Sequence, residues 1–296
     1  MPEIELSAGT IEYTDTDTGT DTDTGTDTGT GTGTGDGARE TVVLVHGLAF
    51  DESVWDALVA ELREDFRVVV PVLPLGSHRR PMRPSADLSA QGVADLLAEF
   101  LERLDLRAVT LVQNDAGTAQ LLPGVRDERI ARLVLTSCEA LDNYPPGIQG
   151  RTLLAASRVP GGLFLLLQSF RVPFLVSMRS SLGGMTAHGI PYERVRRWYR
   201  PLLTDRSVRR DLARFLRSTR KDTYLRAAER LRHFDRPALV AWGAEDRMMP
   251  HRTGRRLAEL LPRGRYVEIP EAGTLVPMDN PTALAQELRR FIEEDA

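Results

Sequence analysis

The sequence predicts an α/β protein built on a doubly wound, mostly parallel sheet with a helical lid, and three observations point there. Short apolar, β-branched runs of strand length alternate with amphipathic segments of helix length in the first and last thirds of the chain. Between them, from about Tyr144 to Arg232, the pattern is helical throughout, broken only at Pro160-Gly161-Gly162, Gly183-Gly184 and Ile190-Pro191. The buried run over residues 109–112 leads directly into Asn114-Asp115-Ala116-Gly117, small and turn-forming residues around one carboxylate. The chain then divides into a first core part over 1–143, a lid over 144–226 and a second core part over 227–296.

Glu3–Leu6 and residues 10–13 read as two short strands joined at Ser7-Ala8-Gly9. Residues 14–37 are a Thr/Asp/Gly repeat without one large apolar side chain. Such a composition buries too little surface to offset the entropy of ordering, so a disordered, expanded hairpin loop is expected. Its aspartates lack the spaced ligands ending in glutamate that a calcium loop uses. Thr41–Val45 is an almost wholly apolar strand that runs into His46-Gly47-Leu48-Ala49-Phe50, followed by a helix over 53–63. Residues 66–70 form a strand, 71–84 a Pro/Arg-rich loop and 89–104 a helix leading to the strand before Asp115. Ala119-Gln120-Leu121-Leu122 then resumes with good helix formers. Strands follow over 130–136, 237–242 and 265–269, with helices over 253–261 and 281–294.

Composition narrows the functional classes. The 296 residues carry a formal charge of −4, which gives no reason to expect nucleic acid as a partner. The Arg194-Val195-Arg196-Arg197 patch reads as the solvated face of a helix. A single cysteine, Cys138, excludes an internal disulfide, is too isolated for a metal cluster and reads as buried filler. No apolar run reaches the length of a membrane span and the first residues carry no basic or apolar leader, so a cytoplasmic protein is expected. Residues 162–176, the greasiest segment, read as a lid helix whose apolar face lines a substrate pocket.

A strand, a sharp turn and a helix around Asp115 make a nucleophile elbow, in which small neighbours let the backbone bend and hold the central side chain at the mouth of the sheet. A carboxylate is already ionised at neutral pH and attacks carbon directly, whereas a serine first needs a base. The competing role for Asp115 is an N-cap of the next helix. Gln113 stands where the first glycine of the elbow motif would be. Gly47 lets the backbone approach a ligand, so the N–H of Leu48 can pair with that of Ala116 to hold an oxyanion. His46 is expected to steady this loop by hydrogen bonds.

His46-Gly47 after a strand, the elbow at Asp115, Trp242-Gly243-Ala244-Glu245-Asp246 and Pro270-Glu271-Ala272-Gly273 follow one another in an order and spacing that resemble the α/β-hydrolase superfamily. The resemblance covers the chain except the repeat. The aspartate at the elbow is similar to the haloalkane dehalogenase and epoxide hydrolase branch, where it attacks carbon and a histidine then directs water onto the ester. The run at Asn114, the stretch from Cys138 to Pro146 and Asp279-Asn280-Pro281 look closer still to a group of bacterial proteins known only as alpha/beta hydrolases.

The resemblance implies Asp115 as nucleophile, Asp246 as the acid that orients a histidine, and Glu139 as a second candidate for that acid. At the histidine's own position stands Thr274, which cannot take a proton from water near neutral pH. His78 and His188 are placed to reach the pocket instead, while His233 and His251 look peripheral. Ala116 stands where dehalogenases carry a halide-binding tryptophan, which disfavours dehalogenation. Epoxide opening needs an acid over the leaving oxygen, for which Tyr144, Tyr192, Tyr199 and Tyr224 are available. The expected function is hydrolysis of a small epoxide or ester without metal or cofactor. The alternative is a non-hydrolytic relative that binds a ligand, or a cofactor-free lyase, isomerase or cyclase with Asp115 as base.

Overall fold

A computed structural model describes residues 1–17 and 39–294, so most of the Thr/Asp/Gly repeat lies outside the described residues. The strands are β1 (Glu3–Leu6), β2 (Gly9–Asp15), β3 (Thr41–Val45), β4 (Arg67–Pro71), β5 (Val109–Asp115), β6 (Ile130–Cys138), β7 (Ala238–Gly243) and β8 (Gly264–Ile269). They form one sheet in the order β1-β2-β4-β3-β5-β6-β7-β8, parallel from β4 to β8 and antiparallel at β1 and β2. Every residue of β5 and β7 is buried, as expected of strands covered on both faces.

The order of the central strands places the site. From β3 the chain moves outward to β4 and then returns to the other side of β3 to lay down β5. At such a reversal the loops after the two central strands leave in opposite directions and open a crevice at their carboxyl ends. The loop at Gly47 and Leu48 and the end of β5 at Asp115 meet there.

Several elements differ from their sequence reading. β2 continues two residues into the repeat, pairing Thr14 with Val70 and Asp15 with Val69, because Arg67 neutralises Asp15 at 2.7 Å. The helix expected from residue 53 starts as a 3-10 turn, Glu52–Trp55, and becomes α1 (Asp56–Leu62). α2 (Ala90–Arg103) is capped by Ser89, whose Oγ accepts from the Gly92 N–H at 3.1 Å. No α-helix follows the elbow. Ala119–Leu121 makes only a 3-10 turn, since the ring of Pro123 would clash with the Ala119 carbonyl and it offers no N–H to continue the helix.

Between β6 and β7 lies the helical insert: α3 (Gly147–Arg158), α4 (Gly162–Gln168), α5 (Pro173–Ser177), α6 (Tyr192–Thr204), α7 (Arg206–Ser218) and α8 (Lys221–Leu231). α8 runs across position 226, where the sequence places the insert's end. α9 (His251–Leu260), the short α10 (Val276–Asp279) and α11 (Pro281–Glu293) complete the fold. The arginine patch on α6 is more than a solvated face: Arg197 pairs with Asp51 at 3.0 Å and with Glu52, tying the insert to the loop after β3. Asp279 ties down the other side, accepting from the N–H of Ala187 at 2.9 Å and of Gly273 at 2.8 Å. Among the described residues no single helix is long and apolar enough to cross a membrane.

Candidate active site

Asp115 ends β5 with φ +65°, the left-handed conformation of a sharp turn that a non-glycine residue adopts at a cost. Gly47 makes room for it: a Cβ there would stand 2.5 Å from Asp115 Cβ. A side chain at Gly117 would likewise strike Gln120 and the Glu139 carbonyl. Gln113, in place of the first elbow glycine, has a job of its own, its Oε1 accepting from the Ala119 N–H at 2.6 Å to hold the turn in place of a helix.

The Asp115 carboxylate is no helix cap. Its Oδ2 accepts the Leu48 N–H at 2.9 Å, so the first expected oxyanion donor is bonded to this carboxylate. Ala116 is buried beside it and brings no side-chain donor. Burial pushes the Asp115 carboxyl up to about 7; the Leu48 N–H opposes this and the charge of Asp246 adds to it.

Glu139 follows β6, and its N–H donates to the Asp115 carbonyl at 2.8 Å. Its side chain is buried and its Oε2 accepts from Tyr224 Oη at 2.6 Å. Burial, helped by the Asp115 charge, raises this carboxyl to about 8, against the pull of the Tyr224 hydroxyl. Near neutral pH the site therefore holds two carboxyls that keep their protons far more readily than ordinary carboxylates.

Asp246 and Thr274 come together as their positions imply, with Thr274 Oγ1 donating to Asp246 Oδ1 at 2.8 Å. The same oxygen accepts the N–H groups of Met248 and Met249, both at 2.9 Å. Burial raises the Asp246 carboxyl, and these donors oppose the shift. Asn114 Nδ2 donates to the Thr274 carbonyl at 2.8 Å and so ties this loop to the elbow.

A cavity of about 260 Å³ lies between the carboxyl ends of the central strands and the insert, room for a small organic molecule. Leu48, Asp115 and Glu139 line it from the core, and Phe170, Leu175 and Tyr199 from the insert. Among the described residues that line it there is no histidine, and neither Asp246 nor Thr274 is one of them. His78 is buried 3.5 Å from Asp211 and His188 is exposed on the insert, so neither takes up the place at the pocket that its position left open. His46 is held as anticipated, its Nδ1–H donating to the Gly47 carbonyl at 2.8 Å and its Nε2 accepting the Leu73 N–H at 2.9 Å. Burial keeps that ring neutral.

Of the four tyrosines, Tyr199 lines the cavity, stacked on Phe170 with ring centroids 4.2 Å apart. Its hydroxyl has no hydrogen-bond partner among the described residues. Tyr224 serves Glu139, and Tyr192 Oη turns away to the Arg171 carbonyl at 2.6 Å. The Tyr224–Glu139 pair could not be read from the sequence, because 85 residues separate the partners and nothing in either segment marks them. Among the described residues no group of three or more potential ligands is placed to hold a metal ion.

Among curated relatives, an uncharacterized hydrolase of Bacillus subtilis, YugF, is 24% identical over 258 residues, covering 86% of this chain and 90% of its own. An alpha/beta hydrolase fold protein from Burkholderia ambifaria superposes with a TM-score of 0.73 at 20% identity, over 97% of this chain and 96% of that one. A putative ancestral haloalkane dehalogenase also gives 0.73, at 18% identity and 99% coverage of both chains. At these identities the solved structures establish the shared fold. Residues 42–287, most of the sequence, match the model of the alpha/beta hydrolase family, and this chain belongs to that family.

Proposed function

We propose that the chain is a hydrolase of small apolar epoxides in which Asp115 is the nucleophile and Glu139 does the proton work that a histidine does in its relatives. The observation that carries this reading is one cavity, otherwise mostly apolar, lined by Asp115, Glu139 and Tyr199 and by no histidine. In the first half-reaction Asp115 Oδ1 attacks an epoxide carbon while the C–O bond breaks and Glu139 gives its proton to the leaving oxygen. Tyr199 hydrogen-bonds that oxygen. The products are a hydroxyalkyl ester on Asp115 and a Glu139 carboxylate.

In the second half Glu139 takes a proton from water, and the hydroxide adds to the ester carbonyl. The N–H groups of Leu48 and Ala116 hold the oxyanion. Collapse expels the alkoxide, which takes the remaining proton from the Asp115 carboxyl, so a diol leaves and both groups are restored. One residue acting as acid and then as base is the logic of retaining glycosidases. Asp246 and Thr274 have a supporting task, fixing the loop behind the elbow, and the insert serves as a lid. No metal or cofactor is needed, and a cytoplasmic location goes with the reading.

Styrene oxide in ¹⁸O-water, followed through one turnover with the intact protein weighed, tests this. The first diol formed should carry no ¹⁸O, and the label should enter Asp115. Label in the first diol, or neither diol nor adduct across a panel of small epoxides, overturns the reading. Glu139→Gln removes the acid of the first half and the base of the second, so it should slow both ester formation and diol release by about a hundredfold or more.

A second reading is favoured by the turn of Thr274 toward Asp246, which leaves water without the usual base. In it Asp115 acts as a general base in an isomerase, lyase or cyclase, or the cavity only binds. Wild-type protein would then form no ester, and Thr274→His would be the variant that gains hydrolysis.

A further inference from the structure

We propose that the α4–α5 face of the insert docks on an anionic lipid surface, with the cavity opening toward it. From residue 143 to residue 192 the sequence holds not one Asp or Glu, in a protein whose net charge is −4. The same stretch carries Arg151, Arg158, Arg171 and Arg179, all exposed, and none of the four forms an ion pair among the described residues. A basic stretch of this length without acids is complementary to a negatively charged surface.

The apolar side chains of that stretch complete the match. Leu165 and Phe174 are 69% and 73% exposed, and Phe164 and Val172 stand out beside them. Large exposed side chains and exposed arginines within one acid-free stretch are the pattern of a segment lying in a membrane interface, apolar groups inward and guanidinium groups at the headgroups. The segments Gly162–Arg171 and Pro173–Gly184 are bent by 99° and each is far shorter than a span, so the geometry is that of lying on a bilayer. A second copy of the chain fits less well, because face-to-face packing would set Arg171 and Arg179 against their own equivalents.

Continuity with the cavity gives the surface a purpose. Leu175 and Met178 are 37% and 40% exposed and also line the cavity. The apolar face thus runs into the lumen over adjoining side chains, a path by which an apolar molecule can pass from lipid to Asp115. That last step rests on the proposed function, whereas docking itself does not.

Full-length protein mixed with vesicles of phosphatidylcholine alone, or with a third phosphatidylglycerol, tests the docking by cosedimentation. Binding to the anionic vesicles is expected, falling at least tenfold in Leu165→Ser/Phe174→Ser and in Arg171→Glu/Arg179→Glu, and weakening as salt rises. Circular dichroism should show both variants folded, and turnover of a water-soluble epoxide should be unchanged in them. Equal binding to both vesicle types, or to neither, overturns the proposal. So does a concentration-dependent dimer in light scattering that both variants abolish. Vesicle binding is read without catalysis, so an inactive protein that binds would refute only the proposed chemistry.

Discussion

Thr274 Oγ1 sits 2.8 Å from Asp246 Oδ1, and this contact occupies the carboxylate that the sequence resemblance would pair with a histidine. The oxygen also receives two backbone N–H groups, so Asp246 closes the turn after β7 much as an Asx residue closes any loop. The threonine and the carboxylate form a buried hydrogen-bonded pair.

Thr274→Val keeps the shape and removes the hydroxyl. Two N–H donors remain on Asp246, so the loss is expected to be about 1 kcal/mol of stability. Turnover should stay within about twofold of wild type. Urea unfolding alongside epoxide turnover checks both, and a tenfold fall in rate would return Thr274 to the chemistry.

Gly47→Ala tests the placement of Asp115. The added methyl would lie 2.5 Å from Asp115 Cβ, against a backbone already at φ +65°, so the carboxylate must leave its position at the Leu48 N–H. A fall of at least a hundredfold in kcat/KM is expected with a cooperative unfolding transition retained. Stopped activity with an unfolded spectrum would move the test to Asp115→Asn, which keeps the shape and an acceptor for the Leu48 N–H and is expected to abolish turnover in a folded protein.

The frame of the molecule was legible because periodicity reports burial: β3, β5, β6 and β7 are apolar runs for the plain reason that helices cover them on both sides. The elbow at Asp115 and the loop at Leu48 were legible because tight turns demand small residues. What stayed hidden depends on contacts distant in sequence. Composition could not reveal that Pro123 would cut the expected helix to one 3-10 turn. Nor could it assign Tyr224 to Glu139 or set Met185, whose carbonyl accepts the Leu275 N–H at 2.9 Å, over the Thr274 loop. His78 looked free to reach the pocket because a loop residue's partner, here Asp211, lies 133 positions away.

The pH dependence of epoxide turnover follows from the two carboxyls. Asp115 must be ionised to attack, so the rate should rise through about 7; Glu139 must be protonated to donate, so it should fall above about 8. A narrow bell is expected in kcat/KM. Tyr224→Phe removes the hydroxyl that favours ionised Glu139, so its carboxyl rises further and the alkaline limb moves to higher pH while the acid limb stays. A profile whose alkaline limb is unmoved would show that Glu139 is not the acid.

Stability should oppose function at the same two residues. Both carboxyls titrate higher in the folded chain than their ordinary values of 3.8 and 4.5, because burial penalises the charged form. Such groups favour the fold at low pH, and their contribution is lost as pH rises through about 7 and about 8. Asp115→Asn and Glu139→Gln abolish that penalty while keeping a group that can accept from the Leu48 N–H or from Tyr224. Each variant should therefore be more stable than wild type at pH 9, by on the order of 1–3 kcal/mol, and nearly equal to it at pH 4. Urea unfolding at the two pH values decides this, and a variant less stable than wild type at pH 9 would mean that the carboxylate is held by favourable contacts that outweigh its burial.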